Sequence, residues 1–316
     1  MSDALLPFSI VIPLYNKEAT VERAIRSALN QIVQDFEIIV VNDGSTDNSA
    51  RVVEAIGDHR IRLIHQKNQG VSAARNRGIA EAKYDLIAFL DADDEWLLEF
   101  LETIRLMVHR YPDCGLYATR YFLQSPTGKQ QPAIVRGIPD AFEGILENYF
   151  EIAKRSNPPI CSSAACARKS VLTQIGGFPG GVISGEDLLT WARIAARFPV
   201  AYSMSCLSIF HQTPAQICET VPSRVPAEDD VVGRELAALL VSVDSDRKTP
   251  LRDYCALWHK MRASCYLRLN MKTKARPEIS RALHYAISPK LAVYWVLSFS
   301  PGFLIRRAFR TGTFNR

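Results

Sequence analysis

Leu86-Ile87-Ala88-Phe89-Leu90-Asp91-Ala92-Asp93-Asp94 is the stretch on which the fold turns. Five apolar residues in an unbroken run have the length of a strand buried on both faces, as in a parallel sheet covered by helices. Three carboxylates follow at once. Ligands of open α/β sheets bind beyond the carboxyl ends of the strands, so Asp91 and Asp93 are expected in a crevice at that edge. Two carboxylates in one crevice repel unless a cation lies between them. Read alone, the same residues serve equally well as solvated turn residues, with Asp94 capping a helix that begins near Trp96.

On the N-terminal side the chain alternates regularly. Short apolar runs at 8–13, 36–41 and 61–65 read as strands. Between them Val21, Ala24, Ile25, Ala28, Leu29 and Ile32, then Val52, Val53 and Ile56, then residues 71–82 recur at helical spacing. Alternation of this kind predicts a mainly parallel sheet with right-handed crossovers. On the C-terminal side the pattern loosens: a helix over 96–109, a strand over 116–123, a loop over 125–139 and helical spacing over 141–154. Further on, 172–178 ends in Gly176-Gly177, a helix follows over 186–198, and 200–204 and 207–211 read as closing strands. Residues 214–226 read as a linker, followed by helices over 231–243, 251–269, 279–287 and 291–309. The expected division is an α/β domain over 1–215 and a basic helical region over 216–316.

A chain of 316 residues suffices for one large α/β domain and an appendage. Seven scattered cysteines, an odd number with no C-x-x-C spacing, read as reduced core thiols of a cytoplasmic protein, without a disulfide framework or a zinc site. Residues 1–6 have neither the basic nor the apolar region of a secretory signal. The net charge of +5 conceals an asymmetry: residues 1–246 carry 23 Lys and Arg against 31 Asp and Glu, whereas 247–316 carry 15 against 2. A basic tail of this kind suits an anionic surface, either nucleic acid or a membrane leaflet. It has no interleaved aromatic platform for bases, which sets nucleic acid aside. The longest apolar stretch, 291–305, is broken by Ser298, Ser300, Pro301 and Gly302 and is shorter than the roughly 20 residues a spanning helix needs. With Arg306, Arg307 and Arg310 behind it, the stretch reads either as an interfacial segment or as a core helix of a C-terminal bundle.

Four polar clusters follow strand ends and would converge on one sheet edge: Tyr15-Asn16, Asn42-Asp43-Gly44, Gln69-Gly70 with Arg75-Asn76, and Asp91-Ala92-Asp93. Taken in order with Ile12-Pro13-Leu14, Ser45-Thr46-Asp47, Gly70 to Gly78, and Gly176-Gly177-Phe178 followed by Glu186-Asp187, they make the chain resemble family 2 of the nucleotide-sugar glycosyltransferases, which have the GT-A fold. The resemblance covers about residues 8–212 and leaves out the basic tail. It implies a donor site formed by Pro13, Tyr15, Asn16, Asp43, Arg75 and Asp91, in which Asp43, a pure acceptor, takes the imide N–H of a base such as uracil. It further implies that Asp93 binds a divalent ion, Mg²⁺ or Mn²⁺, with His211 as a third ligand, although a lone His in an apolar strand is as readily structural. Asp187 would be the general base of a single inverting displacement, with Glu186 and Gly177 at the acceptor. Glu186 and Asp187 also suit a helix first turn, and Gly176-Gly177 a helix C-cap.

Two absences narrow the reading. No Gln-x-x-Arg-Trp motif accompanies a spanning helix, unlike a processive polysaccharide synthase. No Gly-rich phosphate loop ends the first strand, unlike a nucleotidyltransferase. With them, the resemblance implies transfer of one sugar from a UDP-sugar to a saccharide or lipid-linked acceptor in surface polysaccharide assembly, in the cytoplasm or peripherally at the inner face of the cell membrane. The alternative is a nucleotide-sugar-binding protein without activity, which would have no need of a base at Asp187.

Overall fold

The computed structural model describes residues 6–217, 222 and 224–310, with Arg310 by its backbone alone. The expected linker lies partly outside these residues, as does Cys218. Within them the chain forms two compact units. One runs to Gln124 and resumes over Lys129–His211; the other takes Ser125–Gly128 and the chain from Gln212 onward.

The first unit begins β1 (Phe8–Leu14), α1 (Val21–Leu29), β2 (Phe36–Asp43), α2 (Ser49–Ile56), β3 (Ile61–Gln66), α3 (Val71–Glu81) and β4 (Leu86–Phe89). It continues with β5 (Glu95–Trp96), α4 (Phe100–Arg110), β6 (Leu116–Gln124), β7 (Gln130–Pro132), β8 (Glu143–Ile145) and α5 (Tyr149–Ala153). A 3₁₀ turn at Ser162–Ala164, β9 (Ala165–Arg168), α6 (Lys169–Gln174), α7 (Glu186–Ala195) and β10 (Val200–His211) complete it. The ten strands form one sheet of order β3-β2-β1-β4-β9-β6-β10-β5, with β7 on β6 and β8 on β10. The first four strands are parallel, while β9 runs antiparallel to both β4 and β6. The polar ends of these four strands thus share one edge, and the strand order reverses between β1 and β4, which is where an α/β sheet opens a crevice.

The apolar run of β4 is buried throughout, as are β1 apart from Pro13 and the whole of β2. Proline in a central strand is tolerated here because its missing N–H lies beyond the last β1–β4 register pair, Val11 with Phe89. Helix α3 lies very close to β1: a Cβ on Gly78 would stand 2.4 Å from Val11 Cγ1.

Several expectations are corrected. The helix expected from Trp96 starts at Phe100, because Glu95 and Trp96 pair with Ile209 and Ser208 of β10. Helical spacing over 141–154 resolves into β8 and the short α5, since Gly144 and its neighbours add to β10. The two closing strands are one, irregular between Ser203 and Ser208. Strand β9 (Ala-Cys-Ala-Arg) carries no apolar signal of its own; the sheet creates it by burying small residues between β4 and β6.

The second unit is helical: α8 (Val231–Ser242), α9 (Ser245–Arg268), α10 (Lys272–Tyr285), α11 (Pro289–Leu297) and α12 (Gly302–Arg310). The single helix expected over 291–309 is two, because Ser300 and Pro301 interrupt it. Leu267, Ala275, Ile279, Leu291, Tyr294, Ile305 and Phe309 form its core.

Candidate active site

The loop after β1 is joined to the loop after β2. Asn16, held at φ 50°, accepts from Thr46 N at 2.8 Å, and its own N–H donates to Ser45 Oγ at 3.1 Å. Lys17 N donates to Ser49 Oγ at 2.8 Å, and Glu18 with Asn48 and Asp47 closes the seam. Tyr15 stands outside it, 46% exposed. Asp43 is buried at the end of β2 and accepts from Gln66 Nε2 at 2.7 Å, Gln69 N at 2.9 Å and Gly70 N at 2.8 Å. Three of its roughly four acceptor positions are thereby filled, and about one remains for a further donor.

At the exit of β4 the three carboxylates have three different fates. Asp91, partly exposed, meets Arg75 Nη2 at 2.7 Å, and its N–H donates to Ser163 Oγ at 3.1 Å. Asp93, also partly exposed, meets Lys17 Nζ at 2.5 Å, while Arg23 donates to its backbone carbonyl. Asp94 is buried and accepts from Ser163 Oγ at 2.5 Å and His211 N at 3.0 Å. It caps no helix. Burial, reinforced by the charges of Asp91 and Asp93, raises its carboxyl well above the usual range. Its three-way bond ties the β4 exit to the 3₁₀ turn and to the end of β10.

His211 therefore lies against this cluster, but through its backbone. Its Nε2 pairs with Glu95 at 2.8 Å and its Nδ1 with Gln124 at 3.2 Å. Both ring nitrogens are engaged, and Asp91, Asp93 and His211 form no three-ligand set. Among the described residues the only such set, Asp230, His259 and Glu278, belongs to the second unit. There Arg262 Nε stands 3.4 Å from Asp230 and 3.1 Å from Glu278. A guanidinium thus already fills that site, which is a buried ion network.

Arg75, expected beside Asp91 in the donor site, has a side chain only 3% exposed, bridging Asp91 and, at 3.2 Å, Glu186 Oε1. Burial alone would lower its pKa, but the charges of Asp91 and Glu186 outweigh it and keep the group cationic. The guanidinium lies 5.0 Å from the centre of the Phe178 ring. Phe178 packs edge-on against Phe89 and Trp191 at 5.2 and 5.6 Å, so β4, the Gly-Gly-Phe loop and α7 share one aromatic base. Asn76 clamps that loop, donating to Phe178 O and accepting from Phe178 N, both at 2.8 Å. Gly177, at φ 69°, ends α6 by donating to Leu172 O at 2.8 Å, in the manner of a helix C-cap.

Glu186 and Asp187 open α7 after Gly185, whose φ of 87° turns the chain into the helix. Burial and the adjacent Glu186 charge push the Asp187 carboxyl up to about 7, against the pull of Arg75. Asp91, Arg75, Glu186 and Asp187 thus form one charge-linked row. Lys17, Ser163 and Trp191 belong to the site too and went unnoticed in the sequence. Ser163 carries no motif, and only the 3₁₀ turn brings it to Asp91.

Residues 9–176 match the family described as glycosyl transferase family 2. The chain belongs to that family. An uncharacterized glycosyltransferase of Rickettsia bellii (strain RML369-C) is 31% identical over 191 residues, which are 60% of this chain and 26% of the relative. Uncharacterized glycosyltransferase EpsJ of Bacillus subtilis (strain 168) is 50% identical over 88 residues, 27% of this chain and 26% of EpsJ. The matches of the family 2 chain thus span about a quarter of these relatives' lengths. Its fold matches the S. aureus TarS 1-349 crystal structure in complex with UDP-GlcNAc at a TM-score of 0.70. That likeness has 16% identity and covers 97% of this chain and 92% of the other. It bears out the expected GT-A fold.

Proposed function

We propose that the protein is an inverting, metal-dependent glycosyltransferase that moves a single sugar from a UDP-sugar to a saccharide acceptor, lipid-linked in surface polysaccharide assembly. The observation that carries this reading is the Arg75 bridge. It holds a donor-side carboxylate, Asp91, and the acceptor-side Glu186 on one guanidinium, beside a carboxyl at Asp187 tuned to about 7. A base is most effective with its pKa near the working pH. Asp187 takes the proton of the acceptor hydroxyl as that oxygen bonds to the anomeric carbon, while the bond from that carbon to the diphosphate oxygen breaks on the opposite face. Glu186 and Arg75 hold the base in register. Asp43 offers its remaining acceptor position to the base's imide N–H, and Tyr15 offers an exposed ring beside it.

The donor set at the β4 exit fits a hard divalent ion: carboxylate oxygens only, with Asp93 already drawing a cation, Lys17. Asp93, with Asp91 beside it, would hold Mg²⁺ or Mn²⁺; when bound, the ion neutralises the departing diphosphate. The UDP-GlcNAc of TarS supports the choice of donor class. The inner membrane face is the expected site of action, since a lipid-linked acceptor is presented there.

Asp187→Asn tests the reading. Transfer should fall at least about a hundredfold, as for loss of a general base, while UDP binding measured by calorimetry stays within a few fold. Equal loss of both would refute the assignment.

A further inference from the structure

Helices α11 and α12 bury one side and leave the other apolar. Leu291, Tyr294 and Leu297 of α11, with Ile305 and Phe309 of α12, fill the core against α9 and α10. On the outer side Trp295, Val296, Phe299, Phe303 and Leu304 stand 42, 64, 59, 62 and 39% exposed. The outer face of a helix on a water-soluble bundle is ordinarily polar. Here a run of aromatic and branched side chains occupies it, and the rings of Trp295 and Phe299 meet edge-on at 5.6 Å.

Charge decides what covers this face. After Glu278 the sequence contains no Asp or Glu, but has Arg281, Lys290, Arg306, Arg307, Arg310 and Arg316. Arg306 and Arg307 are exposed immediately beyond Phe303 and Leu304, and the Arg276 guanidinium lies 4.2 Å from the centre of the Phe299 ring. A second copy of the same face would set these cations against their own kind. An anionic lipid surface matches both features, because aromatic side chains favour the headgroup level and cations the phosphates. No described helix is long and apolar enough to cross a membrane. At about 1.5 Å per residue, nine-residue α11 reaches under half of the ~30 Å hydrocarbon thickness.

We infer that the outer face of α11 and α12, centred on Trp295, Phe299 and Phe303 and rimmed by Arg306 and Arg307, is a docking surface for an anionic lipid bilayer. The surface supplies the membrane partner of the proposed function and deepens that reading. It is nonetheless tested separately from the transferase site.

Co-sedimentation of the full chain with vesicles is the measurement, using phosphatidylcholine alone and phosphatidylcholine mixed with phosphatidylglycerol. Binding should be at least about tenfold tighter to the mixed vesicles and should weaken with salt. The triple variant Trp295→Ser, Phe299→Ser, Phe303→Ser and the pair Arg306→Glu, Arg307→Glu should each lose about tenfold or more of that binding. All five positions are exposed, and an unchanged melting temperature and unchanged UDP binding confirm that each variant is folded. Wild type that ignores mixed vesicles, or variants that bind them as wild type does, would overturn the proposal. So would a wild-type dimer, seen by light scattering, that the triple variant abolishes. UDP binding with no vesicle binding leaves the transferase reading intact, whereas vesicle binding without UDP binding counts against that reading alone.

Discussion

At the scale of single residues, the site is a set of carboxylates each given a different partner. Asp187 has the most direct consequence for pH. If it is the base, kcat/KM should rise with pH through about 7, the value to which burial and Glu186 push it, and flatten above. A rate profile without a limb near 7 would remove it from that role. The stability contribution has the opposite sense. A carboxyl raised in the folded state stabilises fully below its ordinary value of 3.8 and loses that contribution as pH rises through about 7. Lys17 makes a second case. Its ammonium pairs with Asp93, the carboxylate proposed above to hold a divalent ion. Lys17→Met should therefore strengthen binding of Mn²⁺ alone, followed by paramagnetic resonance without nucleotide; weaker binding would mean that Lys17 helps to build the site.

At the scale of elements, the site depends on seams between strand exits. Ser163 joins the β4 exit to the 3₁₀ turn, donating to Asp94 and accepting from Asp91 N. Ser163→Ala takes a partner from the buried Asp94 carboxyl and from the Asp91 N–H, and a cost of about 1–3 kcal/mol is ordinary for the buried group. Urea unfolding should show it, together with weaker donor binding as Asp91 loosens. The approach of α3 to β1 sets another limit. Gly78→Ala places a methyl 2.4 Å from Val11 Cγ1, and overpacking of this kind costs about 1–3 kcal/mol. Since α3 also carries Arg75, a shifted helix should lower transfer more than it lowers the melting temperature of the first unit.

At the scale of the molecule, the two units differ in charge and in how they hold it. The first is acidic and sets Asp43, Asp91, Asp93 and Asp94 at one sheet edge. The second is basic, with buried Glu278 and half-buried Asp230 set around Arg262 and His259. Hydrogen bonding from His259 and the charge of Arg262 lower the Glu278 carboxyl despite burial. Removing one partner of a buried pair typically costs about 3–5 kcal/mol, so Glu278→Gln should markedly lower the unfolding temperature of the helical unit. Donor binding should survive. Loss of UDP binding at temperatures where the chain stays folded would contradict that independence.

Much of this was readable from the sequence, because the parallel half of the sheet is written in local patterns. Buried strands between Phe8 and Phe89 read as continuous apolar runs, and the polar residues that end them have to emerge at the same edge. The family and the GT-A fold followed from those clusters in order. The partners of those residues could not be read off, because they come from far along the chain. Arg75 meets Glu186, Asp91 meets Ser163, and Asp94 meets His211 only in the completed fold, with β9 and β10 each paired to β6. The sequence therefore left Asp94 open between a helix cap and a turn carboxylate, and His211 between a ligand and a structural residue; packing buries the first and pairs both ring nitrogens of the second. The same holds for the apolar stretch after Leu291. Its composition left core and interface both open, and only the bundle decided which side chains were buried and which aromatic face was left outward.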